Sequence, residues 1–360
     1  MKITFVLPNW ARFPVGGFKM VYSYANYLTE KGHKVYIIHT LWHRKRKMSL
    51  WKIFVIIAFR FKVFLFGKAK PNWFKLSPGI DTTVVLDLQE KHFHTGDAVV
   101  ATAWSTAEFV SNLSQDKGTK FYFIQGYENW DTEDEKIITT FKLPIKKIVV
   151  STWLEKMLLN LNEKAIACIS NGLDFKVFKI TKPIENRFPG RIGMCYSVYN
   201  WKGSKDGIEA LEIVRKRFPH LQTIFFSVCS RNPEIPSWIE YWRNPLPSHL
   251  LDIYNSCSIF INPSWSEGWG LPTAEAMACG CAAISVRNKG SEEFVIDQET
   301  GLLTKVRDPA ELAEKIIKLI EDQPLRIKLA QAGANFIRRF SVEKSAESFE
   351  KTILFNLNNK

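Results

Sequence analysis

Apolar positions along the chain fall into short continuous runs, separated by longer segments in which they recur every third or fourth residue. Residues 3–7 read as a buried parallel strand, a loop ends in Gly16-Gly17, residues 18–31 have helical periodicity, and Gly32 caps them. Residues 34–38 supply the next strand, which completes one strand–helix–strand unit. The pattern recurs at 98–101, 121–124 and 148–150, short apolar runs of the kind covered on both faces of a sheet. A second series begins at 192–196, passes through a helix at 207–218, and returns with 223–228, 258–261 and 282–286. The predicted class is α/β, with two doubly wound Rossmann-like domains: residues 1–174, a linker over 175–191 containing Pro183, Pro189 and Gly190, and residues 192–340. Beyond Gly301 the chain is predicted mostly helical, with Pro309 and Pro324 opening helices, and a last helix at 341–360 is a candidate to pack back on the first domain.

A length of 360 residues suits two domains, and 46% hydrophobic with 24% charged residues excludes disordered and fibrous classes. The net charge of +13 is a patch rather than an average, because residues 1–75 hold 15 Lys and Arg against the single acid Glu30. Such a patch attracts nucleic acid, anionic lipid or an acidic ligand. Within it, Arg44-Lys45-Arg46-Lys47 precedes residues 50–66, of which 14 are apolar. The longest uninterrupted apolar run, 53–59, is too short to span a bilayer, so the segment is expected to dock on an anionic membrane surface. No recognised nucleic-acid module accompanies it, and no nucleic-acid partner is expected. The run before Pro8-Asn9 is too short for a signal peptide, which points to a cytoplasmic protein, peripheral on the inner face of the membrane. The six cysteines, all from residue 168 onwards with no C-x-x-C pair, read as reduced thiols. His92, His94 and Asp97 lack a clear fourth ligand, and no metal is expected.

The chemistry is concentrated in residues 262–280, Asn-Pro-Ser-Trp-Ser-Glu-Gly-Trp-Gly-Leu-Pro-Thr-Ala-Glu-Ala-Met-Ala-Cys-Gly. Here Gly268 and Gly270 permit close approach of backbone to a ligand, Pro272 suits a helix start, and the free N–H groups of that start can bind phosphate. Two carboxylates, Glu267 and Glu275, would repel an anion unless each accepts hydrogen bonds from ligand hydroxyls. A nucleotide-sugar carries both features.

The whole string resembles the E-x7-E signature of retaining glycosyltransferases of family 4. Gly16-Gly17 resembles the first glycine-rich loop of that family, Val149-Val150-Ser151-Thr152-Trp153-Leu154 its strand-then-serine motif, Ser170-Asn171-Gly172-Leu173-Asp174 its N-G-x-D segment, and Lys202-Gly203 its lysine–glycine loop. The resemblance implies a GT-B fold, a nucleotide-sugar bound mainly by the second domain, an acceptor taken mainly by the first, and a site in the cleft between them. No metal or other cofactor is implied. It assigns Glu267 to the transferred sugar, Glu275 to the ribose and Lys202 to the diphosphate, with Gly268, Trp269, Gly270, Leu271, Gly16 and Gly17 around the donor. The implied acceptor is a glycan or lipid-linked hydroxyl in cell-surface polysaccharide assembly.

Two departures stand out. The arginine usual five residues before the lysine is Ser197, leaving Lys205 or Arg231 as candidate replacements, and the glycine-rich turn after the next strand is absent. No histidine stands where many relatives have one, so Gln125 and Glu128 become candidates for lining the site, with Asn171 beside them. A catalytically silent glycan- or lipid-binding protein and a nucleotide-sugar epimerase are the alternatives. The absence of a GxxxxGK[ST] loop, a GxGxxG fingerprint and a Ser-His-Asp order weighs against P-loop, dehydrogenase and hydrolase chemistry.

Overall fold

Continuous apolar strands are stable only where both faces are covered, and the chain builds two all-parallel sheets of this kind. The computed structural model describes residues 1–41, 70–129 and 132–359. The basic run 44–47 and the apolar segment 50–66 lie outside the described residues. Among the described residues, no helix is long and apolar enough to cross a membrane.

The first unit comprises Met1–Ser170 and Val342–Lys360. Its strands are β1 (Lys2–Leu7), β2 (Lys34–Thr40), β3 (Asp81–Val85), β4 (Ala98–Ala101), β5 (Thr119–Ile124), β6 (Lys146–Val149) and β7 (Ala165–Cys168). Their order is β3-β2-β1-β4-β5-β6-β7, with every pairing parallel. The helices of this unit include α1 (Gly16–Glu30), α2 (Trp104–Ser111), α3 (Asp134–Phe141) and α4 (Thr152–Asn160).

The second unit, Asn171–Ser341, carries β8 (Arg191–Cys195), β9 (Gln222–Ser227), β10 (Ile239–Arg243), β11 (Ile259–Asn262), β12 (Ala282–Val286) and β13 (Leu302–Thr304) in the order β10-β9-β8-β11-β12-β13. Its helices include α5 (Ser204–Arg217), α6 (Pro247–Ser256), α7 (Leu271–Ala278), α8 (Pro309–Glu321) and α9 (Gln323–Ile337). The last two begin as the sequence suggests. Asp308 and Asp322 accept the Glu311 and Leu325 amide hydrogens at 2.9 Å, and a proline sits in each first turn. Ile192, Met194, Ile259, Ile261 and Ile284 form the middle of the core, joined by Ala210, Leu211 and Val214 of α5 and Leu312 and Ile316 of α8.

The final helix, α10 (Val342–Asn358), belongs to the first unit. Phe349 puts its ring among Phe5, Tyr24 and Phe123 at centroid distances of 5.8, 5.1 and 5.6 Å. Residues 175–191, expected as a linker, are part of the second unit. The reason is Arg187, 6% exposed, whose guanidinium donates to the carbonyls of Lys182, Cys257 and Cys279 and to Asn255 Oδ1 at 2.7–3.2 Å. The acceptors on Asn255, Cys257 and Cys279 lie outside the segment, and the guanidinium holds the segment against them.

Candidate active site

In an open parallel sheet, neighbouring loops diverge where the strand order reverses, and the carboxyl ends of the strands there leave a crevice for a ligand. The second unit reverses between β8 and β11, which are directly paired. The loop after β8 carries Ser197 and Lys202, and the loop after β11 carries Glu267, Gly268 and Gly270.

These two loops are tied together. The Trp265 amide donates to the Trp201 carbonyl at 2.8 Å, and the Trp265 indole N–H donates to Asp206 Oδ2 at 2.7 Å in the first turn of α5. Gly203, at φ +61°, is required here because a Cβ would stand 2.0 Å from the Pro263 carbonyl oxygen. Gly290 serves the same purpose on the other side, where a Cβ would stand 2.4 Å from the Glu267 carbonyl oxygen. The outcome is an ion pair across the two loops, Lys202 Nζ to Glu267 Oε1 at 2.7 Å, with side-chain exposures of 26% and 13%. The Lys202 ammonium also lies 4.2 Å from the centre of the Trp201 ring.

Helix α7 begins at Leu271, preceded by Gly270 at φ +103°, and α5 begins at Ser204, preceded by Gly203; neither start has a side-chain cap. Both present free amide hydrogens and the positive end of a helix dipole. Glu275, one turn into α7 and 6% exposed, accepts from the Tyr254 hydroxyl at 3.0 Å. Burial, with the Glu275 charge beside it, pushes the Tyr254 phenol well above its usual range, so the phenol keeps its proton and donates. Burial also pushes the Cys195 thiol at the end of β8 up to about 12, with Lys202 pulling the other way. Lys202, Glu267 and Glu275 all act electrostatically on that thiol, and two helix starts adjoin them.

Other candidates sit elsewhere or act differently. Trp269 is 2% exposed, its ring packed 4.7 Å from Phe294 and 5.5 Å from Phe340, so its side chain belongs to the core and only its backbone faces the loop. Leu271 is likewise buried. Arg231 donates to the carbonyls of Ile235, Pro236 and Ile239 and thereby holds the turn before β10, while Lys205 is 78% exposed at 4.0 Å from Glu234. The structure gives both cations partners other than the glutamates of the motif. The Ser197 amide donates to Ser204 Oγ at 2.9 Å.

In the first unit, α1 begins at Gly16 with no side-chain cap, and Gly17 lies against Gln125, whose Nε2 would stand 3.2 Å from a Cβ there. Gln125 Oε1 is buried with no hydrogen-bond partner among the described residues, as is Asn171 Oδ1 in the second unit. Glu128 instead accepts the Trp104 amide hydrogen at 3.1 Å, at the start of α2. His92 accepts the Gln89 amide hydrogen, His94 packs 4.3 Å from Tyr36, and Asp97 accepts from the Lys2 amide. Sequence reasoning missed Tyr254, Trp201 and Gly290. None lies in a recognisable motif, although Trp201 adjoins one.

The family model for glycosyl transferases group 1 matches residues 241–336. An uncharacterised glycosyltransferase of Methanocaldococcus jannaschii is 41% identical over 95 residues, 26% of this chain and 27% of that protein. The N,N'-diacetylbacillosaminyl-diphospho-undecaprenol alpha-1,3-N-acetylgalactosaminyltransferase of Campylobacter jejuni is 32% identical over 104 residues, 29% of this chain and 28% of that protein. The chain thus spans little more than a quarter of the length of these two relatives. Among solved structures, sucrose-phosphate synthase from Thermosynechococcus elongatus covers all of this chain at a TM-score of 0.76 and 16% identity, with all of its own chain matched. Anabaena HepE in complex with UDP-glucose does the same at 0.75 and 16%. The two Rossmann-like sheets therefore have the GT-B architecture, and residues 241–336 carry the sequence pattern of glycosyl transferases group 1.

Proposed function

We propose that the chain is a retaining, metal-independent glycosyltransferase of the family 4 type that moves a hexose-type sugar from a nucleotide-sugar to a hydroxyl acceptor. The observation that carries this reading is the Lys202–Glu267 pair at the β8/β11 reversal, with buried Glu275 one helical turn beyond it. Breaking the bond between the anomeric carbon and the phosphate oxygen leaves the electron pair on a nucleoside diphosphate. Lys202 and the free amides starting α5 and α7 stabilise that charge without a metal. Glu267 accepts hydroxyls of the transferred sugar, and Glu275, fixed by Tyr254, accepts hydroxyls of the ribose. The acceptor oxygen bonds to the anomeric carbon on the face the diphosphate leaves, and its proton departs with the diphosphate. UDP-glucose bound to Anabaena HepE, a protein of the same fold, supports a nucleotide-sugar donor.

The acceptor we propose is a lipid-linked or polysaccharide glycan, used at the cytoplasmic face of a membrane to which the basic patch of residues 1–75 docks. The diphospho-undecaprenol acceptor in the Campylobacter relative's name supports this class. The direct test supplies UDP-, GDP-, ADP- and CDP-sugars with anionic vesicles containing polyprenyl-diphosphate glycans, and follows release of nucleoside diphosphate. Turnover with one donor, reduced at least tenfold in Glu275→Ala and Lys202→Ala, is expected. Wild-type rates in both variants would remove the site assignment. Flotation with anionic but not neutral vesicles checks the docking surface, and equal partitioning would remove it.

A further inference from the structure

The loop after β8 holds a short ladder of side chains. Tyr199, 60% exposed, stacks on Trp201 at 6.2 Å between centroids and 23° between planes. The other end of the ladder is the Lys202 ammonium, 4.2 Å from the Trp201 ring centre and 2.7 Å from Glu267 Oε1. Lys202 thus has two partners of different kinds. The carboxylate is a competitor for any anion that approaches the ammonium. The indole face is not, because a quadrupole attracts a cation without occupying its remaining N–H donors.

The position five residues earlier is Ser197, a neutral side chain, so the loop offers Lys202 as its cation at this point. An isolated lysine on a four-carbon stem loses rotamer freedom when it is held at one place. The Trp201 backbone is anchored, since its carbonyl accepts the Trp265 amide hydrogen at 2.8 Å, and a Trp265 amide so placed ties the ring's loop to the loop of Glu267.

We infer that Trp201 is a positioning residue for diphosphate recognition: its ring keeps the Lys202 ammonium in the site while that ammonium exchanges Glu267 for the phosphates of the donor. This rests on the nucleotide-sugar reading given above. In the donor-free protein Glu267 neutralises Lys202. When diphosphate enters, the ammonium turns to it over the same ring, and Glu267 is released to accept hydroxyls of the sugar. The exchange couples occupancy of the phosphate subsite to readiness of the sugar subsite, with no bond made or broken.

Calorimetric titration of UDP, GDP, ADP and CDP, each beside its parent nucleoside, tests this in wild type, Trp201→Phe, Trp201→Leu and Glu267→Gln. For the diphosphate that wild type binds, Trp201→Leu is expected to weaken binding about fivefold and Trp201→Phe by less, in line with the strength of the ring quadrupoles. Affinity for the parent nucleoside should stay unchanged in both variants, a separation that general loosening of the loop would not produce. Glu267→Gln should bind the diphosphate roughly threefold more tightly, because the competing carboxylate is gone. Equal diphosphate affinity in Trp201→Leu and wild type, or equal loss for diphosphate and nucleoside, overturns the inference while leaving the donor site in place. Failure of wild type to bind any of the four overturns the donor-site reading and the inference with it.

Discussion

The carboxyl ends of the two sheets are built from different materials. In the second unit, the loops at the β8/β11 reversal hold the Lys202–Glu267 ion pair, and α6 and α7 beside them hold the Tyr254 phenol against the Glu275 carboxylate. In the first unit, the end of β2 and the loop after β1 hold rings and pinned carbonyls. Buried His39 accepts the Tyr22 hydroxyl on Nε2 at 3.4 Å and donates from Nδ1 to the Asn9 carbonyl at 3.1 Å, with Trp10 at 5.1 Å and Phe18 at 6.2 Å between ring centres. Thr40 Oγ1 donates to the Pro8 carbonyl at 2.5 Å, and the Trp73 indole donates to the Ala11 carbonyl at 2.9 Å. Two sheets that share their strand order over six strands thus carry a charged rim and an aromatic one. The fold sets where ligands can bind, and the side chains on the loops decide which chemistry each rim offers.

Substitutions that cross this divide should have unequal effects. The largest is expected for Gly203→Ala, whose new methyl group meets the Pro263 carbonyl in a left-handed backbone. It should lose about 3 kcal/mol of stability, read by urea unfolding, and essentially all turnover with it, because Lys202 is the preceding residue. Next comes Tyr254→Phe, which leaves buried Glu275 without the phenol hydrogen bond. Donor affinity should fall about tenfold and stability by about 2 kcal/mol, checked by titration and urea unfolding together.

Acid should separate the rims at a similar magnitude. Burial holds the His39 imidazole down at about 4, below the 6.5 of the unfolded chain. Between these values the unfolded chain binds the extra proton, so the stability is fully present above pH 6.5 and lost as pH falls towards 4. Wild type should lose about 2 kcal/mol between pH 7.5 and pH 5 from this group, and His39→Gln should lose that dependence. An unchanged pH profile in the variant would show that the aromatic rim is not the acid-sensitive element. The smallest effect is expected for Thr40→Val, about 1 kcal/mol for one hydrogen bond to the pinned loop, with donor affinity unmoved.

The sequence shows the interior of each sheet more clearly than its margins. The strands found from apolar runs alone are interior, such as Phe-Val-Leu in β1 or the alanines and isoleucine of β12. The four that pattern reading misses, β3, β7, β10 and β13, are the four sheet edges. Asp-Thr-Thr-Val-Val and Ile-Glu-Tyr-Trp-Arg alternate, or carry charge, because one margin of an edge strand meets solvent, while Leu-Leu-Thr in β13 is simply too short to register. Near the candidate site, the strand-to-helix turn that carries Glu267 and Glu275 is legible because glycine, proline and carboxylate stand at fixed offsets there. The inward turn of Trp269 was not, since backbone direction at Gly268 and Gly270 decides it. Nor was Tyr254, which reaches Glu275 from a separate helix 21 residues earlier. Such partners are tertiary facts.

Lys202, between Glu267 and two open helix starts, is proposed to bind the diphosphate of a nucleotide-sugar. Titration of wild type and Lys202→Ala with UDP, GDP, ADP and CDP at low ionic strength addresses it most directly. One of these is expected to bind wild type, with a dissociation constant that rises at least tenfold in Lys202→Ala, about 1.4 kcal/mol of lost phosphate interaction. Equal affinity in the two proteins would place any nucleotide site away from Lys202.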